Sequence, residues 1–325
     1  MRSLAYKALI VSLSAALALA ACAKKSTDAS GPQGGKTLSI AVIPKGTTHE
    51  FWKSIHAGAV RAAKELGVDV TWKGPQKEDD RAQQITVVED FISRGVDGIV
   101  LAPLDDRALM RPVQDAMREK IPVVIIDSAL QGSDYVSYVA TDNYKGGVLA
   151  ARRLGEGLHG KGRIFLIRYQ EGSASTTQRE AGFADTVTKE FPGLSVLVKD
   201  QYAGATTETA YQLAENLLSR FPDVEGVFTP NESSTFGMLR ALQESRLAGK
   251  VVFVGFDSSP KLVQGLVIQN PAKMGYLGVK TIVAHIRGEA VEKVIDTGVV
   301  LATPDNMDSP EIKALLTPDL TLIND

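Results

Sequence analysis

The sequence predicts an α/β protein of two doubly wound parallel-sheet lobes. Three observations predict it. Short runs that are apolar on both faces, such as Gly98-Ile-Val-Leu-Ala102 and Pro122-Val-Val-Ile-Ile126, alternate with amphipathic helical stretches. That alternation is the mark of a parallel sheet covered on both sides. The same plan then runs a second time with different residues. Between the two runs, Ser137–Gly147 starts as a strand, turns at Thr141-Asp142-Asn143 and leaves as a helix. Thr, Asp and Asn cap helices and bond their own backbone, so this stretch reads as the first crossing between lobes. Asp142 and Asn143 are expected at the hinge edge of a cleft.

The chain has 325 residues, a formal net charge of −2 and a mean hydropathy of −0.01. That length buries one large core or two ordinary ones. With no basic stripe, nucleic acid is not an expected partner. Arg2 and Lys7 precede an apolar run, Ala8 to Ala21, that is short for a membrane span and fits a secretory signal. It ends Leu19-Ala20-Ala21-Cys22, which resembles the bacterial lipobox. Residues 1–21 are therefore expected to be a lipoprotein signal peptide, and Cys22, the only cysteine, the lipidation site. Lipid chains would anchor the protein without spanning. Residues 22–36 are polar and small and read as a flexible tether.

The folded part opens with a strand at Leu38–Ile43 and a helix bearing Ile55, Ala59, Ala62 and Leu66 on one face. Gly67 stops that helix. Strands follow at Val68–Trp72, Gly98–Ala102 and Pro122–Ile126, with helices over Arg81–Ser93 and Arg107–Lys120 between them. In the second run a helix covers Tyr144–Leu158. Strands then fall at Arg163–Ile167, Ser195–Val198, Gly226–Phe228 and Val251–Val254, and helices at Thr176–Glu190, Thr206–Arg220 and Thr235–Glu244. Lys261–Val267 reads as a short amphipathic stretch, followed by a helix through Val283 and Ile286, a last strand at Gly298–Ala302 and an irregular, proline-bearing tail.

Ligands of open parallel sheets sit beyond the carboxyl ends of the strands. In the first run those ends supply Lys45, His49, Phe51, Trp52, Pro103–Asp106 and Asp127; in the second they supply Tyr169–Thr176, Tyr202, Asn231, Glu232 and Asp257, with Arg179 just inside the next helix. Bidentate hydrogen-bonding groups beside aromatic rings suit a sugar, which offers adjacent hydroxyls and an apolar C–H face. Phe51 and Trp52 are neighbours, so on a helix they point about 100° apart, and one is expected in the core. His49, His56, His159 and His285 are scattered, so no metal site is expected. No Gly-x-Ser-x-Gly elbow occurs, and Gly155-x-Gly157-x-x-Gly160 follows a helix, the reverse of a dinucleotide site. Neither an enzyme nor a cofactor is expected.

These residues also carry a resemblance. Gly95–Pro103, Ile121–Asp127, Ala140–Asn143 with Gly146-Gly147, Arg179-x-x-Gly-Phe183, Pro230-Asn-Glu232, Val254–Asp257 and Gln269-Asn-Pro271 stand in characteristic order. From about Thr37 to Thr303 the chain resembles the periplasmic sugar-binding proteins of ABC importers, of the ribose-binding type. The resemblance implies the type I periplasmic binding fold, with three crossings near Thr141, Gln269 and Asp296. One lobe would comprise 37–141 plus 270–297, and the other 142–269 plus 298–325. It implies ligand contacts for His49, Phe51 or Trp52, Asp127, Arg179, Asn231, Asp257 and Gln269; Asp142 is kept beside them for its place at the hinge edge. Ser128 stands where ribose binders carry a second cleft arginine. Ile43-Pro-Lys45 with Gly74-Pro75 looks more like the rhamnose- and autoinducer-2-binding branch, where that lysine touches ligand, so Lys45 joins the set.

The expected partners are a small-molecule sugar and an ABC transporter permease. The expected form is a monomer, lipid-anchored in the periplasm or on the outer face of the cell membrane. The alternative is a sensor of a sugar or an autoinducer-2-like ligand that signals to a chemoreceptor or kinase.

Overall fold

The computed structural model describes residues 36–257 and 263–323. The signal segment 1–21, Cys22 and all of the tether but Lys36 lie outside them. The first run comprises β1 (Ser39–Ile43), α1 (Glu50–Leu66), β2 (Asp69–Trp72), α2 (Arg81–Arg94), β3 (Gly98–Leu101), α3 (Met110–Arg118), β4 (Val123–Ile126) and β5 (Ser137–Ala140). The second comprises α4 (Asn143–Gly157), β6 (Lys161–Leu166), α5 (Ala174–Glu190), β7 (Gly193–Val198), α6 (Thr207–Arg220), β8 (Gly226–Phe228), α7 (Glu232–Glu244), β9 (Val252–Phe256) and β10 (Gly265–Gln269). The chain then adds α8 (Pro271–Ile286), β11 (Val294–Asp296), β12 (Val299–Ala302) and α9 (Pro310–Leu316).

Two six-stranded sheets result, ordered β11-β5-β4-β3-β1-β2 and β12-β10-β9-β8-β6-β7. The orders correspond strand for strand, so β4 matches β9 and β5 matches β10. The chain passes between sheets after β5, β10 and β11, giving two α/β lobes joined by three crossings. At the hinge the Thr141 and Thr297 hydroxyls lie 3.3 Å apart.

Each sheet is sandwiched between two apolar clusters. Ile40, Val42, Val100 and Val124 pack under α1 and α8, while Ala41, Ile99, Leu101 and Ile125 face α2 and α3. In each lobe the helix entered from a crossing lies backbone to backbone on its partner. A Cβ on Gly58 of α1 would sit 1.9 Å from the Ala272 carbonyl oxygen of α8. A Cβ on Gly147 of α4 would sit 2.0 Å from the Arg179 carbonyl oxygen of α5. Only glycine permits such approach.

Four features depart from expectation. The stretch read as amphipathic ends in β10, a fully buried strand parallel to β9 and antiparallel to β12. Short apolar runs carry no period that separates a buried strand from a buried helix turn. The second sheet is thus not wholly parallel. β11 is an added edge strand beside β5. The tail read as irregular contains α9, started by Ser309, whose hydroxyl accepts from the Ile312 amide, and by Pro310 in the first turn. Finally, 298–325 is not confined to the second lobe: β12 and α9 pack there, but a 3₁₀ turn at Thr321–Ile323 packs against α1 of the first.

Candidate functional site

The carboxyl ends of both sheets face one cavity. Asp127 follows β4 and Asp257 follows β9, the matching strands, and both hold left-handed backbone, with φ of 62° and 72°. Asp tolerates that region better than most residues. The Asp127 amide donates to Val139 of β5 and the Asp257 amide to Val267 of β10. Each turn thereby aims its carboxylate off the sheet and towards the other lobe.

From the first lobe, Lys45 Nζ lies 2.7 Å from Asp127 Oδ2, both side chains being 4% exposed. It also donates to Ser175 Oγ of the second lobe at 3.0 Å. Ser128 Oγ accepts from the Ser175 amide at 3.0 Å, so this serine supplies an inter-lobe bond. From the second lobe, Arg179 is buried with its guanidinium over the Phe256 ring, 3.9 Å from the centroid. Its Nη1 donates to the Pro230 carbonyl at 2.9 Å and lies 3.7 Å from Asp257 Oδ2. Gln269 Nε2 donates to Asp257 Oδ1 at 2.6 Å. Burial pushes the Asp257 carboxyl up, against the pull of Arg179 and the Gln269 hydrogen bond.

Phe51 and Trp52 both line the cavity while sharing the first lobe's core. The core was expected to take one of them; it takes part of both. Their rings meet edge to face, centroids 4.9 Å apart, so one turn of α1 presents both. Trp52 Nε1 donates to Glu78 Oε1 at 2.6 Å, and His49 Nδ1 lies 2.6 Å from the same oxygen. The second lobe's Tyr169 hydroxyl donates to Glu78 Oε2 at 3.0 Å. Burial raises a carboxylate's pKa, but His49, Lys45 and Trp52 outweigh it and hold Glu78 at about 2. Burial likewise favours neutral His49, yet Glu78, with Glu232 and Asp257 behind it, raises it to about 9.

Glu232 reaches across the cleft. Its carboxylate accepts from the Glu50 and Phe51 amides at 3.1 and 3.0 Å. The residue at the start of α1, His49, makes no side-chain cap of its own. A second-lobe carboxylate therefore caps the first lobe's first helix. Burial pushes Glu232 up to about 7, opposed by His49 and those amides.

Asp142 is a correction. It is exposed, its side chain accepts from the Lys145 amide at 2.9 Å, and it is absent from the cavity wall. The neighbouring Asn143 is the hinge residue turned inward. Its Oδ1 accepts from Arg179 Nε at 2.8 Å and its Nδ2 donates to the Asp127 carbonyl at 3.3 Å. The other nine expected binding residues, Lys45, His49, Phe51, Trp52, Asp127, Arg179, Asn231, Asp257 and Gln269, converge on the cavity. Glu78, Tyr169, Ser173, Ser175, Thr176 and Glu232 complete it. Glu78 lies beyond the end of β2, a strand end absent from the candidate set, where the same rule would have found it.

The cavity has an empty volume of about 310 Å³. Buried polar atoms still lack partners there. Ser173 Oγ and Gln269 Oε1 make no hydrogen bond, in residues 0% and 1% exposed. Buried polar groups are normally paired, so these two point to a polar guest. Among the described residues, no group of three or more His, Cys, Asp and Glu is placed to hold a metal ion.

A sequence model described as the periplasmic binding protein domain matches residues 40–290. The chain belongs to the periplasmic binding protein family. Relatives in that family include the ribose import binding protein of Escherichia coli, 30% identical over 78% of this chain and 86% of its own length. The D-ribose/D-allose-binding protein of Pseudomonas aeruginosa is 30% identical over 81% of this chain and 88% of its own. A solved carbohydrate transporter solute-binding protein of Agrobacterium radiobacter, in complex with D-arabinose, is 36% identical with a TM-score of 0.84, over 87% of this chain and 99% of that one. An Agrobacterium vitis ABC transporter solute-binding protein with bound D-fucose is 35% identical with a TM-score of 0.82, over 86% and 100%. As a periplasmic binding protein the chain belongs among substrate-binding proteins that work outside the cytoplasm, and its cavity lies where such a fold takes ligand, at the carboxyl ends of both sheets.

Proposed function

We propose that this chain is an extracytoplasmic solute-binding lipoprotein that clamps a single sugar ring between its lobes and delivers it to an ABC permease. One observation carries the reading. Lys45 and Asp127 of one lobe and Arg179, Asn231, Asp257 and Gln269 of the other converge on a cavity that still contains unpartnered buried polar atoms. Asp127 and Asp257 accept from ring hydroxyls, and Arg179, Asn231 and Lys45 donate to ring or hydroxyl oxygens. Phe51 and Trp52 cover an apolar face of the ring. Gln269 Oε1 and Ser173 Oγ gain the partners they lack. The solved relatives with D-arabinose and D-fucose support a pentose or deoxyhexose as the guest.

The lobes part to admit the ring, because nearly every side chain that lines the cavity is buried between them. Closure then satisfies hydroxyls that neither lobe can satisfy alone. The guest shifts the population only as far as it prefers the closed form, and the closed outer surface is what the permease reads. Cys22 holds the monomer to the membrane through its lipid, and no cofactor takes part. Calorimetric titration with pentoses, hexoses and deoxysugars tests the reading. A 1:1 stoichiometry is expected, lost in Asp127→Ala and Arg179→Ala; unchanged affinity in both variants removes the assignment.

A further inference from the structure

A second hollow lies between the lobes on the far side of His49 and Glu232. It is lined by Thr48, Gln76 and Lys77 of one lobe and Thr206, Thr207 and Phe236 of the other. It is roomy and open to solvent: its empty volume is about 940 Å³, against about 310 Å³ for the enclosed site, and Thr48, Gln76, Lys77 and Thr207 are exposed. The two hollows share only His49 and Glu232. These side chains are therefore the partition between an enclosed site and an open groove.

The partition is built from both lobes and pinned at each end. His49 is held by Glu78 within the first lobe at 2.6 Å. Glu232 comes from the second lobe and is held by two amides of α1. It is 6% exposed despite facing the groove, so the wall is tight. It is complete only when the lobes are together. The groove beyond offers hydroxyls, an amide, an ammonium and an aromatic ring, groups that could hold a second sugar ring, but the wall denies it a connection to the first.

We infer that Glu232 is a specificity-determining residue: capping α1 across the cleft, it seals the site around one free sugar ring and excludes glycosides whose substituent would run into the groove. This rests on the sugar-binding reading above. Removing the carboxylate and its stem joins the two hollows while leaving the ring contacts of Lys45, Asp127, Arg179 and Asp257 in place. Glu232→Gln keeps the bulk and hence the wall.

The test takes whichever free sugar of the titration panel binds tightest and sets it beside its 4-nitrophenyl α- and β-pyranosides. The wild type is expected to bind both glycosides about 100-fold more weakly than the free sugar. Glu232→Ala is expected to narrow that gap to about 10-fold or less for one anomer, and Glu232→Gln to keep the wild-type ratio whatever its absolute affinity. Wild-type protein that binds a glycoside as well as the free sugar overturns the inference without any variant. So does a Glu232→Ala protein that loses sugar and glycosides in equal proportion. Either result leaves sugar binding standing. A wild type that binds no sugar at all removes the proposed function and the partition with it.

Discussion

Asp127 and Asp257 end matching strands of the two lobes, share the left-handed backbone region, and turn their carboxylates into the same cavity. Strain of this kind gathers where function holds it in place. Asn adopts this region readily and Ala does not. Asp257→Asn keeps the backbone but removes the charge beside buried Arg179, so it is expected to cost about 1–3 kcal/mol of urea stability and weaken sugar binding about 10- to 100-fold. Asp257→Ala should weaken binding as much and cost about 1–2 kcal/mol more in stability. Equal stability of the two variants would contradict the backbone argument.

Asn143 and Asp142 should separate cleanly. Asn143 joins Arg179 to the backbone of Asp127, so Asn143→Ala is expected to lower sugar affinity about tenfold or more. Asp142 only caps α4. Asp142→Ala should cost about 1 kcal/mol of stability and change affinity less than about twofold, read by titration calorimetry.

Lys45→Met should be among the more damaging single changes. It leaves the Asp127 carboxylate buried without its cation. A loss of about 3–5 kcal/mol is expected, with no measurable sugar binding, checked by urea unfolding and calorimetry.

Gly147→Ala places a methyl group 2.0 Å from the Arg179 carbonyl oxygen. α4 and α5 must then move apart. A loss of about 1–3 kcal/mol is expected, together with weaker sugar binding because Arg179 moves with α5. A variant of wild-type affinity would show that Arg179 is positioned independently of this helix contact.

Stability should be greatest in mildly acidic solution. Glu78 is held at about 2, below its unfolded value, so its contribution is full above about pH 4.5 and fades as pH falls towards 2. His49 is raised to about 9, so its contribution is full below about pH 6.5 and is lost as pH rises through 9. Glu232, raised to about 7, favours the folded protein below about pH 4.5 and loses that advantage as pH rises through 7. Urea midpoints are expected to peak near pH 5–6 and to fall by pH 9. A midpoint still rising between pH 7 and 9 would rule out the His49 assignment.

Sequence alone determined the strands of both runs except β10, the crossing at Thr141–Asn143, and most of the residues that line the cavity. A parallel sheet binds at its strand ends, and Lys45, Asp127, Asn231 and Asp257 could be counted off once the apolar runs were placed. Tertiary structure decided what depends on the other lobe. Asp142 and Asn143 carry the same local signature, and only packing shows which one caps and which turns inward. Gly265–Gln269 is apolar without period, so its pairing with β9 and β12, not its composition, makes it a strand. Glu78 and Glu232 are ordinary surface residue types until Tyr169 reaches one and the first turn of α1 the other. Local sequence sets backbone preference and burial pattern over a few residues; contacts between residues more than 90 or 180 positions apart exist only once the lobes have come together.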